Sequence, residues 1–171
     1  MSDLAHDLIG EFIAAVVDNQ DRATVLLSTH PALIDARWIH DETALHFLAI
    51  ENYITGVAFL AERGATIDAV NEFGDTALID VCRLKNIEMV ALLLGHGANP
   101  NAVSRTSDNL LHVAIESADA RLAALLLDAG ADPSYVTESG STIAEAVSNL
   151  GPEREEIVAL LTARGIGLDA D

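Results

Sequence analysis

The sequence predicts an all-α fold built of helix pairs stacked at a fixed step. Three observations predict it. Thr43, Thr76, Asn109 and Thr142 hold equivalent places and stand 33 residues apart. Gly64, Gly97 and Gly130 repeat with the same step. Half of the residues are apolar, yet aromatics are only 4% and Ala and Leu dominate, which suits close-packed helices rather than a sheet. A fixed period of about 20–50 residues marks a stacked solenoid, in which each unit buries its apolar stripe only against its neighbours.

The register accounts for each element in turn. In the first, degenerate unit, Ser2 or Asp3 can cap a helix over about 3–18, with Leu4, Leu8, Phe12 and Val16 at four-residue spacing. Asn19-Gln20-Asp21 forms the turn. A second helix over about 21–29 is expected to bury Val25 and Leu26, and His30-Pro31 ends it, because the residue before proline disfavours helical geometry. Thr43 opens the next pair as an N-cap, Leu45, Leu48 and Ala49 form its stripe, and Asn52 supplies the tight turn to a helix over about 53–62 that buries Val57 and Leu60. Gly64 closes that helix with a positive φ. The same logic places helices near 76–84 and 86–95, then 109–117 and 119–128. After Thr142 the register slips: Gly165 follows Gly130 by two residues more than the period, and Asn149-Leu150-Gly151-Pro152 is where the insertion fits. Pro152 suits the first turn of a last helix near 153–163, whose Glu153, Glu155 and Glu156 sit at its positive end.

Thr43-Ala44-Leu45-His46, Asn109-Leu110-Leu111-His112, Gly97-Ala98-Asn99-Pro100 and Gly130-Ala131-Asp132-Pro133 together resemble the ankyrin-repeat family. Its first helix opens on Thr-Pro-Leu-His, and its second is followed by a glycine-alanine-acid turn. The resemblance implies an ankyrin-repeat solenoid of helix pairs joined by β-turn fingers, such as 67–75. It implies about five repeats in one domain over 1–171, near 3–37, 38–70, 71–103, 104–136 and 137–171, the outer two being caps. Two departures stand out. Asn52 replaces the family's inter-helix glycine, and the third repeat has Ile79-Asp80 where histidine and an apolar residue are usual. A half-buried carboxylate at position 80 needs a partner or water. Arg83, three residues on, is the nearer candidate and His46 the more distant one.

Chemistry-bearing patterns are sparse. His46 and His112 lie two repeats apart, on the order of 20 Å if layers are 8–10 Å thick, so they cannot share a metal. The family resemblance implies instead that these motif histidines hydrogen-bond backbone in adjacent turns. Cys82 takes the place of Ala49 and Ile115 and is expected to be a buried, inert thiol. Gly95 and Gly97 lack the preceding strand of a dinucleotide site, and no nucleophile elbow, metalloprotease helix or calcium loop is present. The expectation is therefore no catalytic residue, no cofactor and no metal. Nine basic residues against 27 acidic ones give a net charge of −18, which repels nucleic acid and anionic lipid and favours either a basic protein partner or simply solubility. The single cysteine cannot form an internal disulfide, and the first seven residues lack the basic region of a secretory signal. A cytoplasmic monomer is expected.

The resemblance further implies a non-catalytic adaptor that binds another protein through its finger tips and the exposed side of its first helices. The register maps this surface onto Trp38, Ile39, His40, Glu42, Ile50 and Glu51, and onto Glu72, Phe73, Asp75, Arg83 and Leu84. It continues through Arg105, Thr106, Asp108, Glu116 and Ser117 to Glu138, Ser139 and Ser141. Trp38 and Phe73 are the aromatic anchors, Trp38 being equally placed to close the first repeat. Two alternatives stand beside this one. The first is an inhibitory binder, such as a bacterial immunity protein against a basic toxin. The second is an enzyme with a cryptic acidic site, which would need carboxylates of raised pKa converging in a pocket.

Overall fold

The computed structural model describes residues 3–105, 109–152 and 154–168. Among them are ten α-helices in five pairs: α1 (Asp3–Asp18) with α2 (Gln20–Thr29), α3 (Ala44–Ile50) with α4 (Ile54–Glu62), α5 (Ala77–Arg83) with α6 (Ile87–Gly95), α7 (Leu110–Glu116) with α8 (Ala120–Asp128), and α9 (Ile143–Ser148) with α10 (Arg154–Ala163). No strand occurs among the described residues. Val70 and Thr76 form one isolated antiparallel bridge across the finger between α4 and α5. None of these helices is long and apolar enough to cross a membrane.

The threonines and asparagines of the 33-residue period are helix caps. Thr43 accepts the His46 N–H at 3.5 Å, Thr76 that of Ile79 at 3.4 Å and Thr142 that of Glu145 at 3.3 Å, while the Asn109 side-chain oxygen takes that of His112 at 2.9 Å. Each bond satisfies a donor that the first helical turn would otherwise leave unpaired. Asn86 and Asp119 cap the second helices α6 and α8 in the same manner. Gly64, Gly97, Gly130 and Gly165 all have φ between 71° and 92°, as a left-handed helix stop requires. The turn inside each pair also needs a positive φ. Asn52 supplies it at 62°, and its equivalents Lys85 and Ala118 are held at 54° and 53° without the relief that asparagine or glycine brings.

The chain divides into two compact units, Met1–Ala98 and Asn99–Asp171. In the first, α3 packs on α1 and α5, and α4 packs on α1 and α6. Its core holds Phe12, Val16, Leu45, Leu48, Leu60, Leu78, Met89 and Leu93, all fully buried. In the second, α7 packs on α9 and α8 on α10, around Leu111, Ile115, Leu122, Leu126, Val147 and Leu161. Each fully buried Leu or Val contributes roughly 1.5–3 kcal/mol.

One burial expectation is corrected. Val25 is 61% exposed, whereas Ala23 is buried completely. Residues two apart lie on opposite sides of a helix, so seating Ala23 turns Val25 outward. After α2 the chain makes a 3₁₀ turn, Pro31–Asp35, that buries Leu33. The slip in register after Thr142 is taken up by the non-helical 149–152 before α10, whose first turn carries Glu155 and Glu156; Glu153 lies outside the described residues.

Candidate protein-binding surface

The fingers grow from one repeated hydrogen-bond pattern. The Trp38 N–H donates to the Glu42 carbonyl at 2.8 Å, that of Asn71 to Asp75 at 2.9 Å, and that of Thr137 to Ser141 at 3.0 Å. Asn71 tightens its finger further: its side-chain oxygen accepts the N–H groups of Phe73 and Asp75, both at 3.0 Å. Gly74 at φ 82° completes that turn, and Asp41 does the same work one repeat earlier at φ 58°.

In the first unit the two fingers are sewn side by side. The Glu72 N–H donates to the His40 carbonyl at 3.0 Å, and His40 Nδ1 lies 2.5 Å from Glu72 Oε1. The Phe73 ring stands 5.8 Å from the His40 ring. Arg37 bridges both fingers from beneath, donating to the carbonyls of Asp41 at 2.9 Å and Val70 at 2.6 Å. Sequence reasoning left Arg37 out, because a single arginine at the end of a degenerate repeat carries no periodic signal.

His46 ties the first helix to the following finger. It is fully buried; Nε2 donates to the Asp75 carbonyl at 3.2 Å, and Nδ1 accepts the Thr43 N–H at 3.3 Å. Burial holds its pKa below the usual histidine value, against the opposing pull of the Asp75 carbonyl. His112 is equally buried and meets Asn109 at 3.0 Å and the edge of Tyr135. The expected ring-to-backbone bonds are made by His46 alone: the His112 ring bonds the Asn109 side chain, and its buried Nε2 meets no hydrogen-bond partner. The Cys82 thiol is buried. No group of three His, Cys, Asp or Glu side chains among the described residues is arranged to hold a metal ion.

The residues placed on the exposed flank separate into three groups. Ile39, Phe73 and Leu84 are 46%, 50% and 57% exposed, which is high for large apolar side chains. His40, Glu51 and Glu72 are exposed around them, with Ile50 and Glu42 half-buried. Burial, countered by His40 and reinforced by Glu72, raises the Glu42 pKa. Trp38 and Asp75 form the second group, and both turn inward. Trp38 is half-buried against the edge of Phe47 at 5.4 Å and beside His6 at 5.9 Å, so it closes the first repeat onto the second rather than standing at a tip. Asp75 is only 4% exposed because the Arg83 guanidinium clamps its carboxylate through both terminal nitrogens.

The third group belongs to the second unit. Arg105, Glu116, Ser117, Glu138 and Ser139 are exposed, and Ser141 is half-buried with its N–H on the Thr137 hydroxyl at 2.9 Å. Thr106 and Asp108 lie outside the described residues. Val70, Val103 and Val136, one per finger at the 33-residue step, are each about half exposed. Their spacing was legible in the sequence as an apolar residue repeated where each finger starts.

A family model described as ankyrin repeats (3 copies) matches residues 12–104 and 45–137. The chain belongs to the ankyrin-repeat family. No curated protein matches it. Ankyrin repeats generally mediate protein–protein interactions, and the capped helix pairs, glycine stops and fingers described above are this chain's version of that scaffold.

Proposed function

We propose that this ankyrin-repeat chain is a non-catalytic, cytoplasmic, monomeric module that holds a basic protein partner on the finger tips and first helices of its first unit. The observation that carries this reading is the set of exposed apolar side chains Ile39, Phe73 and Leu84, interleaved with Glu42, Glu51 and Glu72. Apolar area left in water on a rigid scaffold is a ready anchor, and aromatics rank high among the residues that dominate binding energy. The surrounding carboxylates would speed encounter with a cationic surface and reject an anionic one. The net charge of −18 also favours a second reading, in which the held partner is a basic toxin and binding inactivates it.

Capture from native lysate tests the first reading. The doubly substituted Phe73→Glu/Leu84→Glu chain is the comparison, since both side chains are about half exposed and neither belongs to the buried core. Trp38 is left intact because its packing holds the first repeat. Capture of the partner is expected to fall by about tenfold or more. Equal capture by both chains would remove the flank from the proposal.

A further inference from the structure

Asp80 occupies on α5 the place that Phe47 and Val113 hold in the adjacent repeats. Its side chain is 15% exposed, and its Oδ2 is buried without a hydrogen bond. Oδ1 lies 3.8 Å from Arg83 Nη1, too far for a hydrogen bond, while the same guanidinium grips Asp75 with both terminal nitrogens. Two carboxylates therefore converge on one cation. Glu42, from the preceding finger, adds a third negative charge. Of the helices packed on α5, α3 brings His46, already bonded to the Asp75 carbonyl, and α6 brings Glu88, which is exposed. Neither neutralises Asp80. A buried carboxylate so poorly matched is costly when ionised and far less so when protonated.

We propose that Asp80 is a proton switch built into the third repeat: protonated in mild acid, where Arg83 serves Asp75, and ionised near neutrality, where a second carboxylate must share that one guanidinium. Burial, and next the Asp75 charge, push the Asp80 carboxyl up to about 6, with Arg83 pulling the other way. The folded value thus lies above the ordinary 3.8. The native chain keeps this proton over a pH range in which the unfolded chain has lost it. Stability from this group is full below about pH 4 and is lost as pH rises through 6. The switch works on the scaffold itself, so it stands or falls separately from the partner reading.

Thermal unfolding of the native chain and of Asp80→Asn, at pH 5 and pH 7.5, provides the first test. Glu42 is present in both chains, and only its coupling to the Asp80 charge differs between them. The Tm of the variant relative to the native chain is expected to be higher at pH 7.5 than at pH 5 by about 3–6 °C. A pH-independent difference, or one of opposite sign, would overturn the proposal. The second test needs no variant: the side-chain carboxyl ¹³C signal of Asp80 in the native chain, followed by NMR from pH 3 to 8. A midpoint near 6 is expected, and a midpoint below about 4.5 overturns the switch.

Discussion

His46 shows how one side chain can serve two repeats. Its Nδ1 accepts from the backbone of its own helix start, and its Nε2 donates to the finger of the next repeat, both directly and with the ring fully buried. Protonating the ring would place a donor against the Thr43 N–H and a charge in the core, so burial depresses its pKa. The sign follows: the stability it contributes is complete above about pH 6.5 and is lost as pH falls through its folded value. Asp80 acts with the opposite sign in the neighbouring window. Replacing His46 by Leu is expected to cost about 1–3 kcal/mol at pH 7.5, because the Asp75 carbonyl and the Thr43 N–H lose their partner. It should also flatten the loss of stability between pH 7 and 5. Urea unfolding at the two pH values checks both; native stability in the variant at pH 7.5 would show that the ring does not join the repeats. The family resemblance implied this role, and His46 fills it; His112 repeats in register, but its Nε2 stays buried without a partner. The inward turn of Asp75 was not legible. Its clamp, Arg83, is eight residues away across the finger-to-helix junction, a distance that no helical periodicity reports.

At the scale of the element, the helix boundaries were largely spelled out by their caps. Thr43, Thr76, Asn109 and Thr142 each begin a first helix, and the glycines after the second helices each supply a positive φ. What the pattern could not convey was which face a poorly patterned helix would bury. That is decided by the neighbour it meets, and in α2 the small Ala23 displaces the larger Val25 from the interface. The inter-helix turn was only partly legible. Asn52 advertises left-handed geometry, but Lys85 and Ala118 do not, and the fold imposes it on them. An L-residue there gives up roughly 1–2 kcal/mol relative to glycine. Ala118→Gly is therefore expected to stabilise the chain by about 1 kcal/mol, the larger unfolded-state entropy of glycine offsetting part of the gain. A rise in the denaturation midpoint at constant m-value checks it. An unchanged or lower midpoint would mean that the turn relaxes around alanine without strain.

At the scale of the whole molecule, charge and exposed apolar area act on different stages of binding. A net charge of −18 raises the rate of encounter with a basic partner and is screened by salt over about 8–10 Å at ordinary ionic strength. Ile39, Phe73 and Leu84 are close-range anchors that would set how long the partner stays. The two contributions are separable, since added salt should slow association while the anchors govern dissociation. The acidity was plain from the sequence, as was the family. The division into exposed anchors and inward-turned residues was not, because Trp38 and Phe73 are both aromatics at finger positions and only packing tells them apart. The most direct test of a partner-holding flank in the first unit is hydrogen exchange of the chain alone and in complex with the captured partner. Slowed exchange is expected at 38–42, 70–75 and 83–85. Slowing confined to α2 or α10, with those three segments unchanged, would contradict it.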